Sequence, residues 1–150
     1  VNAHETVAEL IPSARHVNDS MPQHVFRQIQ TQALVHPLQK QHVGLIGLSF
    51  KPNVSDTRNS PSVELLRLLS SVGIKTTVYD PFVDKDFGVH KSNSMDELLE
   101  MSEIIVLCVG HSRVLNELEN KDLSDKILVD PWNLMHNLRG KIKRYVGLTL

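Results

Sequence analysis

The sequence predicts an α/β fold: a mostly parallel sheet of about five strands with helices on both faces, preceded by a helical arm. Three observations carry this. Short apolar runs alternate with helical segments from Gln41 onward. The first run, His42 to Leu48, is almost continuously apolar, as a strand buried on both faces requires. The stretch from about Val7 to Leu38 is instead polar and helical in pattern, rich in Gln and His and without glycine. Strands separated by helices imply right-handed crossovers and parallel pairing.

The elements follow in order. Met21-Pro22 interrupts the helical arm, so either one helix ends near Ser20 and another begins at the proline, or one helix is kinked there. His36-Pro37-Leu38-Gln39-Lys40 connects the arm to the first strand. After that strand comes a polar loop, then a helix from Pro61 carrying Val63, Leu65, Leu66, Leu68, Leu69 and Val72. Ser60 suits its N-cap, Pro61 its first position and Gly73 its end. The second strand is Lys75 to Tyr79, closed by Asp80-Pro81. A short helix from Met95 to Met101, a strand from Glu103 to Val109 and a helical turn from Val114 to Leu118 come next. Lys126 to Asp130 and Arg144 to Gly147 supply the last two strands.

Composition narrows the function. A chain of 150 residues, 41% hydrophobic and 22% charged, is of single-domain size and should bury roughly 70% of its unfolded surface. Formal net charge is −1, so no global basic field favours nucleic acid or an anionic membrane, and any anion site must be local. The basic cluster Arg139, Lys141, Lys143 and Arg144 lacks interleaved aromatics and reads as a solvated rim. No apolar run approaches a membrane span and no secretory signal opens the chain. The single cysteine, Cys108, excludes an intrachain disulfide and fits a reducing, cytoplasmic setting. Eight scattered histidines show no metal-ligand spacing, so no metal site is expected. The chain begins without Met on a polar helical stretch, which points to a fragment of something longer.

The candidate site is the loop after the first strand. Gly44 and Gly47 give only G-x-x-G, short of the G-x-G-x-x-G dinucleotide fingerprint, and no G-K-[ST] follows, which excludes a P-loop. The two glycines therefore suit the packing of a strand–turn–helix. Lys51 and Arg58 lie seven residues apart at the end of a buried strand, where open α/β sheets place ligands. Lysine offers a mobile ammonium and arginine a rigid fork, both suited to a diphosphate, and Asp56 is placed to hold either. The alternative is that all three are solvated loop charges.

The string Gly47-Leu-Ser-Phe50-Lys51-Pro-Asn-Val-Ser-Asp56-Thr-Arg58-Asn-Ser60-Pro61, followed by Tyr79-Asp80-Pro81, closely resembles the C-terminal domain of the UDP-glucose/GDP-mannose dehydrogenase family. The family pattern is G-x-x-F-K-x-x-x-x-D-x-R-x-S-P, then Y-D-P. Upstream, Ala14-Arg-His-Val-Asn18-Asp-Ser-Met21-Pro22 is most similar to the branch that oxidises UDP-N-acetylhexosamines, and the likeness covers nearly the whole chain. The resemblance implies a Rossmann-like sheet, with residues 1–38 left from a central dimerisation domain and residues 41–150 forming the NDP-sugar-binding domain. It implies an NAD-dependent nucleotide-sugar 6-dehydrogenase that takes a C6 alcohol to the carboxylate through a cysteine thioester. Phe50 and Lys51 would contact the UDP-sugar, Arg58 would reach the NAD, and the full-length enzyme would be a homodimer.

The departures matter as much. The family's nucleophile lies in a G-G-x-C loop and its NAD fingerprint at the N-terminus, and neither is in this sequence. Cys108, in an apolar strand, is expected to be an inert core thiol. The fragment alone is expected to be inactive, and a stand-alone nucleotide-binding module is the alternative. Trp132 stands where the family often has arginine, and either stacks on a base or packs on the sheet end. Asp80 is either a ribose-holding acid or a turn former, and His111 either a ligand contact or a structural hydrogen-bonder.

Overall fold

The computed structural model describes residues 3–38 and 42–147, with side chains from residue 14 onward; Gln39 and Lys40 of the expected connection lie outside these. Six parallel strands form one sheet in the order β3-β2-β1-β4-β5-β6. They are β1 (His42–Ile46), β2 (Lys75–Tyr79), β3 (His90–Lys91), β4 (Ile104–Leu107), β5 (Leu123–Asp130) and β6 (Ile142–Gly147). The helices are α1 (Ala3–Val35), α2 (Pro61–Ser71), α3 (Met95–Met101) and α4 (Ser112–Glu119), with a 3₁₀ turn at His136–Lys141. This is the Rossmann-like order, and it is one strand larger than the sequence suggests. The missed strand, β3, is two polar residues paired to the sheet edge, too short to show an apolar period.

Two apolar layers sandwich the sheet. On one face α2 brings Leu65, Leu66 and Leu69 against Val43, Leu45 and Val78, while α1 brings Met21, Val25 and Ile29 against the same core. On the other, Leu98 of α3, Val114 and Leu118 of α4 and Leu138 of the 3₁₀ turn cover Ile46, Ile105, Leu107 and Leu128. Each fully buried aliphatic side chain stabilises the fold by roughly 1.5–3 kcal/mol.

Packing also explains α1. It runs as one helix through Pro22, so no helix ends near Ser20. An interior proline costs about 3 kcal/mol through its lost N–H and steric clash. Here Met21, Pro22 and Val25 are buried, and that contact offsets the local penalty.

Helix α2 is bounded by local chemistry. Ser60 Oγ accepts the Ser62 N–H at 3.2 Å, and Pro61 opens the helix, as expected from sequence. At the other end Gly73, with φ +74°, donates to Ser70 O and Ile74 donates to Leu69 O. That pair of bonds is a Schellman motif, which needs the left-handed conformation glycine takes freely.

Candidate functional site

Strand order sets the position of the site. The chain leaves β1 to one side through α2 and β2, and enters β4 on the other, so connections diverge at the C-terminal ends of β1 and β4. Such a switch point opens a crevice for ligands. Into it come the loop of residues 47–60, the Val109–His111 turn after β4 and the Asp130–Met135 turn after β5. Together with Asn18 of α1 they wall a cleft of about 360 Å³, to which Phe50, Pro61, Trp132 and Leu134 contribute apolar surface. A larger cleft, about 1030 Å³, lies at the opposite end of the sheet against Ile29, Leu34, Ile74 and Lys75, away from the strand ends where parallel sheets bind ligands.

Both glycines of the G-x-x-G run are packing residues. A Cβ on Gly44 would lie 2.7 Å from Leu98 Cδ2, and one on Gly47 only 2.6 Å from Val109 Cβ. Gly47 also has φ +88°, strained for any other residue. The close approach is thus between β1 and its own neighbours, not to a pyrophosphate.

Within the loop, Phe50 N–H donates to Asp56 O at 2.7 Å and closes a tight excursion. Phe50 leaves 45% of its surface exposed on the cleft. Lys51 is exposed and, among the described residues, takes no ion-pair or side-chain hydrogen-bond partner. Asp56 chooses Arg58: Nε lies 3.0 Å and Nη2 2.7 Å from its two oxygens, a bidentate fork. The side-chain bond from Arg58, helped by its backbone N–H, holds the Asp56 carboxyl down to about 2. The pair is exposed, with the Arg58 side chain 86% accessible, so its value lies in orientation more than stability.

Asp80 is buried and functions as a turn former. Its Oδ1 accepts the Phe82 N–H at 2.8 Å, while Oδ2 accepts the Leu48 N–H at 2.7 Å. Burial opposes its ionisation, but hydrogen bonds from His111, Leu48 and Phe82 outweigh that and hold its carboxyl below the usual range. His111 is fully buried and takes the structural role. Two histidines do meet carboxylates through the fold, His111 with Asp80 and His90 with Glu97. Among the described residues no three His, Cys, Asp or Glu gather as metal ligands.

The second strand-ending acid, Asp130, escapes the sequence reading. It is fully buried, and its Oδ2 accepts the Met135 N–H and the Tyr145 hydroxyl, both at 2.7 Å. Burial and that carboxylate together raise the Tyr145 pKa. Asp130 thereby shapes the turn carrying Trp132, as Asp80 shapes the first loop. The signal was present: Asp-Pro ends both β2 and β5. Trp132 divides between its two sequence-level roles. Its indole N–H is tied to the Cys108 carbonyl, yet 47% of the residue stays exposed along the cleft.

Cys108 follows β4 and is half-buried, and the packing round its sulfur pushes the thiol up to about 12, against a weak opposing bond from Ser62. No described helix is long and apolar enough to cross a membrane.

Comparison with known proteins agrees with this geometry. Residues 44–137 match the model of the UDP-glucose/GDP-mannose dehydrogenase family, UDP binding domain. A UDP-N-acetyl-D-mannosamine dehydrogenase of Methanocaldococcus jannaschii is 33% identical over 135 residues, covering 86% of this chain and 30% of the relative. An NDP-N-acetyl-D-galactosaminuronic acid dehydrogenase of Ralstonia solanacearum is 30% identical over 135 residues, 87% of this chain and 31% of the relative. The solved UDP-glucose dehydrogenase of Pyrobaculum islandicum superposes with a TM-score of 0.69 at 28% identity, over 88% of this chain and 30% of that one. The chain thus spans about a third of the length of these relatives. On the match over residues 44–137, the chain belongs to the UDP-glucose/GDP-mannose dehydrogenase family, as its UDP-binding domain.

Proposed function

We propose that this chain holds the nucleotide sugar in an NAD-dependent 6-dehydrogenase acting on a UDP-sugar of the N-acetylhexosamine type. One observation carries the proposal: in a UDP-binding domain, the crevice between β1 and β4 presents an exposed aromatic, Phe50, and the next residue in the chain, Lys51, is an exposed cation with no side-chain partner among the described residues. The relatives at about 30% identity, a UDP-N-acetyl-D-mannosamine dehydrogenase and an NDP-N-acetyl-D-galactosaminuronic acid dehydrogenase, support the acetylated sugar class.

Each site residue has a part in this reading. Phe50 and the face of Trp132 supply apolar surface for the planar or ring portions of the ligand. Lys51 supplies a mobile positive charge for the diphosphate or for the carboxylate formed at C6. A preorganised charge aimed at developing anionic character is among the larger sources of catalysis. Arg58, held by Asp56, projects towards solvent and meets the NAD when the site closes. Residues 1–38 form an arm of the dimerisation domain and residues 41–150 the ligand-binding domain of a cytoplasmic homodimer.

The described residues do not fit the main NAD site. A dinucleotide cradle needs glycines that admit the pyrophosphate and amides that face it. Here Gly44 and Gly47 are filled by Leu98 and Val109, and the Leu48 amide is directed to Asp80. Cys108, with its raised pKa, is unsuited to be the nucleophile. The redox chemistry is therefore assigned to parts of the enzyme outside these 150 residues, and the chain by itself is expected to be inactive.

The test uses the sole tryptophan of the sequence, Trp132. Titration of the chain with UDP and with GDP, to millimolar concentration, follows its emission together with the amide resonances of residues 48–60. Quenching and shifts centred on that loop, stronger for UDP, are expected. Silence of both signals towards both nucleotides would overturn the proposal.

A further inference from the structure

Asp80 ends β2 and His111 follows β4, with β1 lying between those strands, yet the two side chains meet over the end of β1. His111 Nε2 is 3.0 Å from Asp80 Oδ2, and both side chains are fully buried. The same oxygen accepts the N–H groups of Leu48 at 2.7 Å and Ser49 at 3.3 Å. On the other side of the ring, His111 Nδ1 accepts the Asn53 N–H at 2.8 Å. A backbone N–H can only donate, so Nδ1 carries no proton; the proton sits on Nε2 and donates to the carboxylate. The Phe82 ring packs on the imidazole, 4.8 Å between centroids, and fixes its plane.

Asn53 continues the chain of contacts. Its Oδ1 accepts the Ser112 N–H at 3.0 Å and its Nδ2 donates to Ser112 Oγ at 3.1 Å. Helix α4 receives no side-chain cap from its own N-cap residue, His111, so Asn53 serves that purpose from the far loop. Asn53 has φ +61°, a left-handed conformation asparagine tolerates better than most residues. The loop is thereby fastened at Leu48 and Ser49 on one side and at Asn53 on the other. Between these anchors stand Phe50 and Lys51.

We infer that Asp80 and His111 are positioning residues of the ligand site, a buried latch that holds the Phe50–Lys51 span in one conformation before ligand arrives. This rests on the reading of the cleft as a UDP site. A span already ordered does not have to be ordered at the expense of binding, so the latch raises affinity without touching ligand. It also turns the Leu48 and Ser49 amides inward, which leaves recognition of the diphosphate to side-chain cations rather than to a ring of amides.

The test compares the whole 150-residue chain with its His111→Ala, His111→Asn and Asn53→Gly variants, by UDP titration and by amide hydrogen exchange. His111→Ala is expected to lose about tenfold in UDP affinity, with faster exchange in residues 48–53 and unchanged exchange in β1 and β4. His111→Asn sets a carboxamide oxygen near the place of Nδ1 and should recover part of both. Asn53→Gly keeps the backbone N–H and the left-handed φ while cutting the exposed tie to Ser112, and is expected to lose about threefold. A folded His111→Ala chain with parental affinity and parental exchange in 48–53 would overturn the latch. If that variant does not fold, a folded His111→Asn chain, which keeps an acceptor for the Asn53 N–H but loses the bond to Asp80, overturns it instead by showing fully parental affinity and exchange. Imidazole nitrogen shifts of the parent must show the proton on Nε2; the opposite tautomer also overturns it. A parent chain that fails to bind UDP defeats the proposed function, while the exchange comparison still decides the latch.

Discussion

The indole N–H of Trp132 donates to the carbonyl oxygen of Cys108 at 3.0 Å, joining the turn after β5 to the end of β4. The bond satisfies the polar atom of the tryptophan, so the ring offers the cleft an apolar face and no donor. It also engages the backbone of the one cysteine, whose thiol faces the core.

Cys108 is expected to be chemically inert in the folded chain. With a thiol pKa of about 12, only about one molecule in ten thousand is thiolate at pH 8. Iodoacetamide labelling followed by mass spectrometry should be negligible in buffer and complete in denaturant. Rapid labelling of folded protein would return Cys108 to the list of nucleophiles.

Lys51→Ala should leave stability within about 0.5 kcal/mol of the parent, because the side chain is exposed and has no partner among the described residues. In the full-length enzyme the same change is expected to lower turnover by about a hundredfold, the scale for loss of one preorganised charge or donor. Steady-state kinetics with denaturant unfolding in parallel check both halves, and full activity would remove Lys51 from the site.

The Asp56–Arg58 pair gives a prediction in pH. The folded carboxyl is lowered from 3.8 to about 2, so its contribution is fully present above the unfolded value and is lost as pH falls through the folded one. Carboxyl carbon shifts should place the Asp56 midpoint near 2 in the parent. Arg58→Ala should return it towards 3.8, the unperturbed value. An unchanged midpoint would mean that the fork does not persist in solution.

Gln32 lies on the inner side of α1, 6% exposed, and among the described residues its Oε1 has no hydrogen-bond partner. A buried acceptor without a donor costs about 1–3 kcal/mol relative to a satisfied one. Gln32→Met, of similar length, is expected to stabilise the chain by about 1 kcal/mol. Urea unfolding measures this, and a lower midpoint would show that the carboxamide has a use in the fold.

Much of the architecture was legible in the sequence because its causes are local. The apolar run of β1, the Ser60-Pro61 start of α2 and the turn at Gly73 each depend on residues a few positions apart. Family membership was legible in the fixed spacing of Phe50, Lys51, Asp56 and Arg58. What escaped had non-local causes. Helix α1 continues through Pro22 because Met21 and Val25 are buried against the sheet. β3 exists only as the neighbour of Thr77 and Val78.

By itself the sequence determined the fold class and the family, and it singled out the loop proposed to face the ligand, since periodicity, capping and motif spacing are properties of neighbouring residues. Only the tertiary structure decided the partners. It left Lys51 without a side-chain partner among the described residues while Asp56 took Arg58, set Asp80 and His111 31 residues apart in sequence within 3.0 Å, and carried Asn53 to the start of α4. The reason is strand order: β1 sits between β2 and β4, which draws the ends of three separate segments to one point, and no spacing along the chain encodes that meeting.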